Sequence, residues 1–135
     1  LLDSLTQARL RGVVVEVLIP RLADHRFLTW LNKIFACVAQ HRGIRVLLSG
    51  KMNHAKAILV DGVEGMIGSA NIDANSFNNN WEANLSFQRR DMVLRLEKTI
   101  NRWKKSAQDF ECASLHKGWF HRFTKMFVGA IHSFL

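Results

Sequence analysis

One stretch constrains this chain more than any other. Between His54 and Glu82 the residues fall as H-x-K-x4-D-x6-G-S-x-N, with an acidic side chain eleven positions after the Asn. Ala55-Lys56-Ala57-Ile58-Leu59-Val60 is a short apolar run that stops at Asp61-Gly62 and resumes at Met66-Ile67. An apolar run, a strong turn signal and a second run predict a β-hairpin. Side chains alternate along a strand, so His54 and Lys56 share one face. The second arm ends at Gly68-Ser69-Ala70-Asn71, where glycine permits a tight turn and a hydroxyl and an amide follow. Lys56, Ser69 and Asn71 together suit a tetrahedral oxyanion such as phosphate. An imidazole beside bound phosphate can act as nucleophile when a carboxylate steadies its other nitrogen, and Glu82 is the candidate for that task.

These residues resemble the HKD motif of the phospholipase D superfamily. The flanking text is most similar to the C-terminal lobe of a bacterial cardiolipin synthase, through Arg11-Gly12-Val13-Val14-Val15, Ala23-Asp24-His25, Asn71-Ile72-Asp73, Ser76-Phe77 and Asn80-Trp81-Glu82. The resemblance implies that His54 attacks phosphorus to give a phosphohistidine. It further implies that Lys56 and Asn71 bind phosphate oxygens and that Glu82 orients the histidine. Ser69 would support the phosphate pocket or the His–Glu pairing, while Asp61, Gly68 and Asp73 would support the site structurally. No metal or other cofactor is implied, because Lys56 and Asn71 supply the charge and hydrogen bonds. One departure stands out: family members usually carry Asp-x-Arg-Ser where this chain has Asp73-Ala74-Asn75-Ser76. Asn75 removes a bidentate donor and a fixed charge.

The implied reaction is phosphatidyl transfer between phospholipids, making cardiolipin from phosphatidylglycerol. A phospholipase D-type hydrolase, a homodimeric phosphodiesterase nuclease and a non-enzymatic membrane-binding module are the rival readings. Family members place two HKD lobes around one site, and this chain carries one such motif and opens at Leu1 inside a helical pattern. The expectation is a piece of a longer protein, or a lobe that pairs with a second copy of itself. Expected partners are an anionic phospholipid substrate, a membrane surface and a second lobe, with nucleic acid as the alternative. The expected location is the bacterial inner membrane, with the catalytic lobe on the cytoplasmic side.

Hydropathy patterning outlines the rest. Leu2, Leu5, Ala8 and Leu10 predict a helix, residues 13–19 a buried strand closed by Pro20, and Phe27 through Val38 an amphipathic helix capped by Asp24. Residues 44–48 and 82–88 read as strands, and 91–108 as a helix carrying Met92, Leu96, Ile100 and Trp103. With the resemblance, this gives an α/β, phospholipase D-like lobe over residues 1–110, a mixed β-sheet flanked by helices. Residues 111–135 form a second segment, whose apolar residues from Leu115 to Leu135 recur at helical spacing among Lys117, Arg122 and Lys125. Such a basic amphipathic helix lies in a membrane interface or docks on protein.

Charge is uneven: the net is +8, and from Arg89 onward ten basic residues face four acidic ones. That surface favours acidic lipid or nucleic acid. No run of about 18 apolar residues predicts a spanning helix. Cys37 and Cys112 stand far apart in the sequence and read as buried free thiols. Trp81 reads as core packing. His25, His41, His116, His121 and His132 lack motif partners and read as structural or exposed.

Overall fold

The structure, a computed structural model, describes residues 2–23, 26–51, 53–71 and 80–115. The Asp24 cap, His25, the segment with Asp73, Asn75 and Ser76, and the C-terminal helix expected beyond residue 115 lie outside the described residues. In chain order the elements are α1 (Leu2–Leu10), β1 (Glu16–Pro20), α2 (Arg26–His41), β2 (Arg45–Ser49), β3 (Lys56–Val60) and β4 (Glu64–Gly68). They continue with β5 (Asn84–Phe87), α3 (Arg90–Lys104), β6 (Ala107–Asp109) and a 3-10 turn, Cys112–Leu115. No helix among the described residues is long and apolar enough to cross a membrane. The α/β class holds, with the strands divided between two three-stranded sheets. The chain separates into two units, Leu1–Met52 with Ala107–Leu135, and Asn53–Ser106.

In the first unit β2 is the central strand, parallel to β1 and antiparallel to β6, so this sheet is mixed. A central strand covered on both faces needs apolar residues in succession rather than alternation. Val46 and Leu47 are accordingly both buried. The amphipathic face of α2 lays Ala36 and Ala39 on this sheet, and they join Leu2, Ile44, Val46, Phe110 and Cys112 in one core. Two residues past the end of α2 stands Gly43, whose φ of +77° suits only glycine comfortably, and Ile44 N–H then donates to the Ala39 carbonyl at 3.1 Å.

Two expectations are corrected here. The helix expected over 91–108 ends at Lys104, and residues 107–109 pair instead with β2, with Ala107 opposite Ser49 and Asp109 opposite Leu47. Helix propensity differs among these residue types by only about 0.7 kcal/mol, and a sheet edge with unpaired backbone groups outweighs that. Cys37 and Cys112 are not free thiols: they form a disulfide across a sequence separation of 75, with Cα atoms 5.0 Å apart. The β6 pairing and the Gln40 side chain carry the distant cysteine there. Gln40 Nε2 donates to the Phe110 carbonyl at 2.8 Å, and Gln40 Oε1 accepts from Cys112 N–H at 2.8 Å. In the chain-entropy account, closing such a loop contributes about 4–5 kcal/mol.

The second unit is a meander, β3-β4-β5, with α3 packed on it. Val93 and Leu96 are the buried residues of α3. Gly65 is buried where a Cβ would come within 2.8 Å of Leu96 Cδ2 and 2.6 Å of Phe87 Cε2, so the helix sits close because β4 has no side chain there.

At the exposed end of the first sheet, Arg45 forks between neighbours. Its Nε donates to Asp109 Oδ1 at 2.7 Å, its Nη2 to Asp109 Oδ2 at 3.1 Å and its Nη1 to Glu16 Oε1 at 2.8 Å. Hydrogen bonding to Arg45, with its charge in support, holds the Asp109 carboxyl below its ordinary value of 3.8. A carboxyl depressed in the folded state contributes stability above its unfolded value, and loses it as pH falls through the folded value. Asp109→Asn is therefore expected to lower the melting temperature near neutral pH, with the gap to wild type closing below 3.8. Thermal melts of both proteins from about pH 7 to about pH 3 check this, and a gap constant across the range contradicts it.

Candidate active site

The hairpin turn is made by Asp61 and Gly62, with φ of +50° and +67°, closed by Val63 N–H donating to the Val60 carbonyl at 3.0 Å. Asp-Gly tolerates this left-handed pair, which matches the twist of the strands it joins. The five residues of β3 span about 16 Å. Asp61 thus sits at the end of the hairpin remote from His54.

At the other end three strand termini come together. The register sets Lys56, first in β3, opposite Gly68, last in β4, and Gly68 opposite Asn84, first in β5. The residues flanking these termini are those the sequence singled out: His54 before β3, Ser69 after β4 and Glu82 before β5. Asn53 Oδ1 accepts from Ala55 N–H at 3.0 Å, a local turn that fixes the entry of the chain into β3. Lys56 Nζ donates to the His54 carbonyl at 2.9 Å, so the ammonium curls back over the histidine it follows.

Ser69 is tied to the segment before β5 from both sides. Its N–H donates to the Ala83 carbonyl at 3.0 Å, and its Oγ accepts from Ala83 N–H at 3.0 Å. That Oγ donates its single proton to Glu82 Oε2 at 2.6 Å, shorter than its 3.4 Å to the Ala83 carbonyl. A hydroxyl donating to a carboxylate at this distance is a strong, charge-assisted bond. Gly68 makes the approach possible: a Cβ there would lie 2.6 Å from the Ala83 carbonyl oxygen and would collide with the Asn84 side-chain oxygen.

The structure thus joins Ser69 to Glu82 and His54 to Lys56, and sets both pairs at one end of one sheet. Asn71 is exposed three residues beyond β4, and Asp73 lies outside the described residues. His54 and Ser69 are exposed, Lys56 and Glu82 half-buried. Such a group offers a nucleophilic nitrogen, a cation, a hydroxyl and a carboxylate to solvent-borne substrate. Trp81 departs from expectation: it is fully exposed beside Glu82 rather than packed in a core. Sequence reading also passed over Asn53 and Asn84. The signal for Asn84 was Gly68 itself, since a glycine ending a strand marks close approach by something. Among the described residues one trio of metal-ligating side chains comes together, Cys37, His41 and Cys112, all in the first unit.

Comparison with known proteins shows the family and the fold. Residues 1–104 match the family described as the phospholipase D-like domain of cardiolipin synthase. Cardiolipin synthase A of Pseudomonas putida is 39% identical over 111 residues, covering 82% of this chain and 22% of the relative. Cardiolipin synthase of Listeria monocytogenes is 35% identical over 98 residues, covering 72% of this chain and 20% of the relative. The chain therefore spans about a fifth of the length of these curated relatives. The crystal structure of Nuc, a phospholipase D family member from Salmonella typhimurium, superposes with a TM-score of 0.67 over 82% of this chain and 72% of that one. At 20% identity that likeness shows the fold. The chain belongs to the phospholipase D superfamily, within the family of cardiolipin synthase phospholipase D-like domains.

Proposed function

We propose that this chain is one catalytic lobe of a phosphatidyltransferase that makes cardiolipin from two molecules of phosphatidylglycerol. The observation that supports it best is the Ser69–Glu82 hydrogen bond at the strand ends flanked by His54 and Lys56, in a chain whose relatives are cardiolipin synthases.

In this reading His54 attacks the phosphorus of phosphatidylglycerol, a P–N bond forms as the P–O bond to glycerol breaks, and glycerol leaves with a proton. A hydroxyl of the second phosphatidylglycerol then attacks the phosphohistidine, loses its proton, and regenerates the imidazole as cardiolipin forms. Lys56 and Asn71 hold the non-bridging oxygens, where charge builds up in both displacements. Glu82 steadies the imidazolium character of His54, and Ser69 fixes the carboxylate in turn. Gly68 and Asp61 act by shape, through the close strand approach and the turn, and Asp73 belongs to the loop that follows.

Each displacement needs a proton donor or acceptor on the face of phosphorus away from His54. A second HKD lobe, from the same polypeptide or a second copy, supplies it. The exposed basic residues Arg95, Lys98 and Arg102 of α3, with Lys105 just beyond it, suit the anionic surface of a bacterial inner membrane, on its cytoplasmic side in this reading. Residues 111–135 are the candidate lipid-facing segment.

Phosphatidylglycerol turnover by the full-length protein in mixed micelles, read by chromatography of the lipid products, tests this. Wild type is expected to yield cardiolipin and glycerol, and His54→Ala to lose activity by about 10³-fold or more. Phosphatidic acid as the main product would replace transfer with hydrolysis. Cleavage of single-stranded DNA without lipid turnover would establish the nuclease reading instead.

Removing the Ser69–Glu82 bond is expected to cost about 1.5–3 kcal/mol of positioning, so Ser69→Ala should slow turnover by about 10–100-fold. Gly68→Ala is expected to reduce both turnover and melting temperature, since the Ala83 backbone must retreat. Unchanged turnover in Ser69→Ala would remove the serine from the catalytic arrangement.

A further inference from the structure

A trio in the first unit has no part in the phosphodiester chemistry. We propose that Cys37, His41 and Cys112 form a binding site for a thiophilic divalent cation, with Zn2+ as the reference ion, when the Cys37–Cys112 pair is in its dithiol state.

Cys37 and His41 are four residues apart on α2, so they stack on one face of the helix. Cys112 arrives from far along the chain, held by Gln40, which lies between them in sequence and grips the backbone on both sides of Glu111. The two sulfurs and one ring nitrogen all lie within 4.8 Å of one another. Bonds of about 2.3 Å to sulfur and about 2.0 Å to nitrogen bring such a trio around one ion with small side-chain rotations.

Two further features suit a ligand. His41 Nδ1 stands 3.8 Å from Cys37 Sγ and 2.8 Å from the Cys37 carbonyl oxygen, so the helix already holds the ring against the sulfur, and a small ring rotation exchanges the carbonyl for an ion. The burial is graded: Cys112 is 5% exposed, Cys37 half-buried and His41 exposed. One side of the trio is thus walled by protein, and the other opens to solvent beside a cleft lined by Gln40, His41, Cys112 and Ala113. An ion can enter there and take water as its fourth ligand.

Two thiolates and an imidazole favour soft or borderline ions over Mg2+ or Ca2+. The disulfide and the metal site are alternative states of the same sulfurs. A thiol reductant supplies two electrons and two protons to open the S–S bond and is itself oxidised to a disulfide. Zn2+ binding then displaces the two thiol protons to solvent. The site is independent of the phosphohistidine chemistry, so His54→Ala should leave it intact.

The test uses purified protein reduced with dithiothreitol, desalted under argon and titrated with Co2+ and then Zn2+. One equivalent of Co2+ is expected to give an intense thiolate-to-cobalt band in the near ultraviolet with visible d–d bands, bleached by one equivalent of Zn2+. Cys37→Ser and Cys112→Ser should abolish the ultraviolet band. Loss of an outer-shell partner alone weakens metal binding by about 10–100-fold, so His41→Ala, an exposed change that leaves the core untouched, should weaken it at least as much. Circular dichroism of each variant separates lost binding from lost fold. Two reactive thiols without a cobalt band would overturn the proposal, as would affinity unchanged in His41→Ala. A pair that resists reduction in the folded protein would also overturn it, leaving a structural disulfide.

Discussion

The register across β3, β4 and β5 is the constraint on which the candidate active site depends. Lys56 opposite Gly68 and Gly68 opposite Asn84 fix which residues can flank the strand ends. A slip of one residue in an antiparallel pair would turn every side chain to the other face. Lys56 would then leave the face it holds, and Ser69 would move away from Glu82, thirteen residues along the chain. The register is pinned at both ends by backbone demands only small residues satisfy. At the turn the left-handed pair Asp61-Gly62 sets the loop, and at the site Gly68 lets the Ala83 carbonyl come within reach of Ser69 N–H.

This explains why so much of the candidate site was legible in the sequence. Turn chemistry and strand alternation act locally, and Asp61-Gly62 between two apolar runs specifies a hairpin without help from the rest of the chain. Hairpin geometry then makes spacing meaningful: His54, Lys56 and Ser69 are near neighbours because two arms of equal length must bring them together. Glu82 is further off, and its place in the site follows from a third strand whose start at Asn84 lies two residues after the predicted one.

What was not legible depends on long-range competition. Ala107-Gln108-Asp109 carries nothing that forbids helix, and only the free edge of β2, more than fifty residues earlier, makes a strand of it. The cysteines follow from the same event. Once β6 pairs, Phe110 is driven into the core at 5% exposure, and Gln40 captures the backbone around Glu111, so Cys112 has no choice of neighbour. Trp81 fails as a core prediction for the opposite reason. Hydrophobic character sets what burial would gain, about 25 cal/mol per Å2, but not whether an element arrives to cover the ring. Being fully exposed beside Glu82, its indole offers a large apolar surface at the edge of the candidate site.

The proposed chemistry bears on why one lobe needs another. In a displacement at phosphorus the entering and leaving groups lie on opposite sides, so a nucleophile cannot also protonate the group it expels. Among the described residues His54 is the one histidine of the Asn53–Ser106 unit. In the proposed mechanism Glu82, engaged by Ser69, is assigned the part of a fixed negative charge rather than a proton shuttle. Lys56 lies two residues from His54 on the same strand approach, and its Nζ donates to the His54 carbonyl, which keeps it on the nucleophile's side. In the proposed mechanism the distal acid therefore comes from a second lobe, in the same polypeptide or in a second copy. In that proposal a related lobe would supply an imidazole in the same setting, so that either half of the reaction runs through equivalent groups. An exposed His54 and an exposed Trp81 beside Glu82 are what one half of such a shared site would present.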